Sequence, residues 1–76
     1  MSDDEKKRIA DAADMIVDGY SYTRKNDEIQ VVNLNYSEVH AMVMTQEATI
    51  LESSMDPIEQ AIALRLWEKN KSFMEA

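Results

Sequence analysis

Cysteine is absent from the 76 residues, which excludes disulfide staples, thiolate zinc sites and thiol nucleophiles. Glycine occurs once, at Gly19, so there is no glycine-rich loop to let the backbone close on a phosphate. Histidine also occurs once, at His40, which excludes a multi-histidine metal site within one chain. Basic residues are scarce: 8 Lys and Arg stand against 15 Asp and Glu, for a formal charge of −7. Phosphate contact needs clustered Lys and Arg, so neither direct nucleic-acid binding nor a membrane surface is expected. No apolar run approaches the ~20 residues of a membrane span. The opening Met-Ser-Asp-Asp-Glu has the wrong charge and polarity for a signal peptide. The expected compartment is the cytoplasm.

What is present fits one small domain over residues 1–76. The hydrophobic fraction is 45% and the charged fraction 30%, a globular rather than a disordered composition. A chain near this length buries only about 60% of its unfolded surface, so each core position carries weight.

Residues 2–18 have the pattern of a helix. Ser2 and Glu5 stand at capping-box spacing, and Asp3, Asp4 and Glu5 suit the positive end of the helix dipole. Ile9, Ala12, Ala13, Ile16 and Tyr20 recur at helical period, with Asp4, Asp11, Asp14 and Asp18 opposite them and Gly19 at the position of a C-terminal cap. Tyr20–Thr23 and Ile29–Leu34 are aromatic and β-branched, and the polar stretch Lys25–Glu28 between them makes a β-hairpin.

Residues 39–44 and 49–53 flank a polar turn at Gln46-Glu47 and read as a second hairpin. A helix over residues 37–54, giving an α-β-β-α-α chain with one hairpin, is the alternative, but its wheel shows no clean polar face. The final helix starts at Asp56 as N-cap, with Pro57 at the first position and Glu59 as the reciprocal capping partner, and runs to about Phe73. The expected fold is therefore α+β: an N-terminal helix, a four-stranded antiparallel meander and a C-terminal helix. These form two layers, with both helices on one face of the sheet.

Chemistry is thin. His40 beside a carboxylate is a conceivable general base, but its place between Val39 and Ala41 reads as a surface or sheet-packing histidine. No catalytic residue, cofactor or metal site is expected, and the protein is expected not to be an enzyme. Two features suggest interaction instead. Asp11, Asp14 and Asp18 align as an acidic face able to steer a basic protein surface. The last helix carries two apolar stripes. Ile58, Ile62, Leu66 and Phe73 are assigned to the core. Ala63, Trp67 and Met74 are assigned to an interface, because Trp is a favoured interface anchor. The expected function is a small acidic cytoplasmic regulator or adaptor, a protein–protein interaction module pairing with itself or with a basic protein. The alternative is an acidic inhibitor, of phage or mobile-element type, directed at a nucleic-acid-binding protein.

Overall fold

A computed structural model describes residues 1–75. The element order is α1 (Asp3–Ala12), β1 (Met15–Val17), β2 (Tyr20–Lys25), β3 (Glu28–Asn33), β4 (Ala41–Thr45), β5 (Ile50–Ser53), α2 (Pro57–Asn70) and α3 (Ser72–Glu75). The strands form one antiparallel sheet in chain order. The α+β architecture is the expected one, with five strands in place of four. Residues 41–45 and 50–53 are extended, so the helical alternative for this stretch does not hold.

The extra strand comes out of the first helix. α1 begins as its capping residues dictate, with the Ser2 hydroxyl accepting from the Glu5 amide at 3.1 Å, but it ends at Ala12 rather than residue 18. Met15, Ile16 and Val17 then pair with Tyr22, Ser21 and Tyr20. Asp18 and Gly19, with φ of 50° and 79°, make the two-residue connection between β1 and β2. Positive φ at both positions is the geometry whose twist suits a tight hairpin, and Asp-Gly is its usual sequence. A side chain at residue 19 would also strike the Asn35 amide, 2.5–2.8 Å from where its Cβ would lie. Gly19 is thus a hairpin turn, not a helix cap.

The β2–β3 hairpin turns at Asn26-Asp27, with Asn26 at φ 59°. The β4–β5 hairpin closes through Gln46, Glu47 and Ala48, with the Thr45 amide donating to the Thr49 carbonyl at 2.9 Å. Ala48 has φ 68°, a left-handed conformation disfavoured for any residue with a Cβ. Ala48→Gly is therefore expected to stabilise the domain by about 0.5–1 kcal/mol, read as a melting temperature several degrees higher.

The core lies between one sheet face and α2. Tyr20, Tyr22, Ile29, Val31, Met42 and Met44 point from the sheet, and Ala63 and Trp67 meet them from the helix. Ala63 is 0% and Trp67 1% exposed. The Trp67 ring stacks on Tyr22 with centroids 5.8 Å apart, and its indole N–H donates to the Gln46 carbonyl at 3.2 Å. The Tyr22 hydroxyl donates to the Ala63 carbonyl at 2.7 Å. Burial raises the Tyr22 hydroxyl's pKa, with the nearby Tyr20 hydroxyl adding to the shift, so it stays a donor.

This corrects the assignment of the helix faces. Ala63 and Trp67 belong to the intrachain core and Met74 packs against its edge, whereas Ile58 and Phe73 are each 73% exposed and Ile62 is 38% exposed. The small side chain of Ala63 lets the helix backbone come close enough to accept from Tyr22, and the Trp67 ring fills the space beside it. A stripe of isoleucines would hold the helix farther from the sheet.

The two helices do not share a sheet face. Ile9 and Ala12 of α1 line an open cleft with Thr23, Gln30 and Val32, residues one step out of phase with Tyr22 and Val31 and so on the opposite face. α1 contributes no fully buried residue.

Candidate functional site

The acidic stripe does not survive folding as one face. Asp11 lies near the end of α1, Asp14 precedes β1, and Asp18 sits in the β1–β2 turn. Asp14 serves the sheet locally. Its carboxylate accepts from the Arg24 amide at 2.7 Å, while its own amide donates to the Tyr22 carbonyl at 2.9 Å. The stripe depended on a helix running to residue 18, and the chain turns into a strand instead.

The most connected polar cluster forms where β3, the β3–β4 connection and the start of α2 meet. Glu59 is the third residue of α2, held there by Asp56 and Pro57. The Glu59 amide donates to the Asp56 carboxylate at 2.8 Å, and the Asp56 amide donates back to the Glu59 carboxylate at 3.3 Å. Glu59 lies on the same helix face as Ala63 and Trp67, four and eight residues on, so the capping carboxylate is directed inward and is only 4% exposed.

Two further groups reach it. The Asn33 side chain, at the end of β3, donates to Glu59 Oε2 at 3.0 Å. His40 Nδ1 lies 2.8 Å from Oε1 and 3.0 Å from Oε2. Asn33 in turn accepts from the Asn35 amide at 3.0 Å and from the Asn35 side chain at 2.9 Å, and that side chain also donates to the Asp18 carbonyl. Tyr36 stacks on the imidazole, with centroids 4.3 Å apart and planes 15° from parallel.

Electrostatics follow from these contacts. Burial pushes the Glu59 carboxyl up, but the bonds from Asn33, His40 and the Asp56 amide, with the charge of His40, outweigh it and leave the group below its ordinary value of 4.5. The hydrogen bond to Glu59 raises His40 above its ordinary 6.5 against partial burial, and Glu38, 3.7 Å from Nε2, adds to the effect. Tyr20 is pushed up by burial and then by the negative charge of Glu59.

The sign of each shift sets a pH profile. The raised His40 contributes stability fully below 6.5 and loses it as pH rises through its folded value; the lowered Glu59 contributes above 4.5 and loses it as pH falls through its own. Urea denaturation at a series of pH values is expected to show this pair's contribution greatest between 4.5 and 6.5, declining on both sides. Glu59→Gln should flatten that profile.

Chemically the cluster is a clamp. Its bonds go to a strand-end amide, a helix-cap amide and a loop imidazole, joining the end of β3 and the β3–β4 connection to the start of α2. The carboxylate fixes Nδ1–H and turns Nε2 outward, which is also how a general base is oriented. Here, however, the side chain that meets Nε2 is the Glu38 carboxylate. Among the described residues, no group of three or more His, Asp or Glu side chains is arranged to hold a metal ion. No described helix is long and apolar enough to cross a membrane. Sequence reasoning found Glu59 as a capping residue but not as the partner of His40. The capping spacing was legible; the nineteen-residue separation of the two carried no signal.

The chain belongs to a protein family described as a family of unknown function (DUF7723), whose model matches residues 3–74. No curated protein and no solved structure matches it.

Proposed function

We propose that this member of the family is a non-enzymatic protein–protein interaction module, a small acidic regulator or adaptor of the cytoplasm, whose partner is a second copy of the same chain. The observation that carries the reading is the outward flank of the C-terminal helices. Ile58 and Phe73 are the most exposed large apolar side chains among the described residues, at 73% each; Ile62 is 38% exposed, and Leu66, between Ile62 and Phe73 in the chain, is partly buried against the core. Covering one such side chain is worth about 1.5–3 kcal/mol.

Charge and geometry favour a second copy. An antiparallel pairing of α2 helices centred on Ile62 sets Ile58 against Leu66 of the other copy. It also brings the basic Lys69 toward the other copy's acidic N-cap, Asp56. A two-fold pairing repeats each contact, so a small patch counts twice. Three or four side chains per copy fall below the ~1,200 Å² of a stable interface, so the pair is reversible. The alternative of an acidic inhibitor docked on a nucleic-acid-binding protein draws on the same net charge, but its carboxylates lie on separate elements.

Sedimentation velocity over a concentration series tests the proposal. The wild type is expected to shift from monomer to dimer with concentration. Ile62→Asp, which places a charge at the centre of the patch, should stay monomeric with an unchanged circular dichroism spectrum. A wild type that stays monomeric throughout, or an Ile62→Asp variant that associates equally well, would overturn it.

A further inference from the structure

The β3–β4 connection, residues 34–40, is the longest link between neighbouring strands, and its side chains are anchored unevenly. Its first half is tied to the sheet: the Leu34 amide donates to the Gly19 carbonyl at 2.8 Å, and Asn35 bonds Asn33 and Asp18. Its second half, residues 36–39, is exposed. Tyr36 rests on the His40 ring, and His40 rests on Glu59. Tyr36 thus reaches the body of the protein through an imidazole whose own hold is the Glu59 carboxylate.

We propose that His40 and Glu59 form a pH-gated latch. Closed, it holds residues 36–39 on the amino end of α2; when either partner loses its charge, this segment opens locally while the sheet stays folded.

Three observations support local rather than global opening. The backbone of His40 remains paired without the latch, because its carbonyl accepts from the Asn33 amide at 2.8 Å. β2 and β3 pair along six residues each and face Trp67 across the core, independently of residues 36–39. The imidazole side chain is 22% exposed, so protons reach it without unfolding. Tyr36 is 45% exposed and stacks on that ring, so its environment reports the position of the imidazole.

The surrounding charges come from every side. Glu38 and Tyr36 face the latch from the connection itself, Asp56 from the α2 N-cap, and Tyr20 from β2. The Met1 ammonium donates to the Ser37 carbonyl, and the Ser54 hydroxyl donates to the Val39 carbonyl at 3.2 Å. The Met1 ammonium, Glu38 and Asp56 are thus the other charged groups at this segment. Between the lowered Glu59 and the raised His40 both latch groups are charged, and the closed form is favoured. The opening equilibrium changes about tenfold for each pH unit that separates a group's closed-state pKa from its open-state pKa.

The test is an NMR pH titration of the full chain, following the Tyr36 ring protons and the amides of residues 36–39, with the β2–β3 amides as reporters of global unfolding. In the wild type the Tyr36 resonances should leave their closed-state positions on both sides of the window, above 6.5 and below 4.5, while the β2–β3 amides do not move. Glu59→Gln keeps an acceptor for the Asp56 amide but removes the charge. It should leave Tyr36 in its open-state position across the whole range, with neither transition. His40→Gln leaves the α2 cap intact, and should leave Tyr36 in its open-state position at every pH even if Glu59→Gln fails to fold. Movement of residues 36–39 only together with the β2–β3 amides would overturn the latch. So would a Glu59→Gln titration that matches the wild type, which would place the response outside the His40–Glu59 pair.

Discussion

Trp67→Ala is expected to cost about 3–5 kcal/mol and to leave a domain of this size largely unfolded at room temperature. The indole is the largest fully buried side chain; it stacks on Tyr22 and donates to Gln46, so truncation opens a cavity and leaves a turn carbonyl without its donor. Urea denaturation followed by circular dichroism measures the loss. Trp67→Phe keeps an aromatic ring against Tyr22 and forgoes only the N–H and part of the volume, so it should cost less. A Trp67→Ala variant that folds normally but no longer self-associates would return this residue to an interface.

The second large effect is at Glu59. Glu59→Ala removes the acceptor shared by Asn33, His40 and the Asp56 amide, and leaves the NH2 of the buried Asn33 side chain without its acceptor. Losing a buried hydrogen bond together with a helix cap is worth about 2–4 kcal/mol. Glu59→Gln, which restores an acceptor and the shape, should recover a large part of that. The two variants, compared by denaturation between 4.5 and 6.5, separate the role of the charge from that of the cap. Equal stability of Glu59→Ala and the wild type would mean that the clamp does not hold these three segments together.

The elements that were legible in the sequence are those whose signals are local. Ser2 with Glu5, and Asp56, Pro57 and Glu59, mark helix starts through bonds made within one turn, and both helices begin there. The β2–β3 and β4–β5 hairpins were legible because β-branched runs flank short polar turns. β1 was hidden because Met15, Ile16 and Val17 continue the apolar period of α1, while the Asp18-Gly19 turn that ends the strand resembles a helix C-terminus. The period was right as far as Ala12, and the turn chemistry won beyond it.

The faces of α2 were misassigned for a different reason. The helix is apolar around most of its circumference, so hydrophobicity alone gives no direction. What decides is the fit of one small and one large side chain, Ala63 and Trp67, against Tyr22 across the sheet. That contact spans more than forty residues and becomes visible only after the strands are paired. The His40–Glu59 pair has the same character, since each residue has an ordinary local explanation and only the fold brings them within 3 Å.

If the C-terminal helices turn Trp67 into their own chain's core and offer Ile58, Ile62 and Phe73 to a second copy, the indole environment must be indifferent to dissociation. Acrylamide quenching of Trp67 fluorescence across a dilution series reads that environment. The emission should be blue-shifted and protected from quencher at every concentration, including the dilute end where sedimentation shows a monomer. A red shift and loss of protection on dilution, in step with dissociation, would instead place Trp67 in the interface.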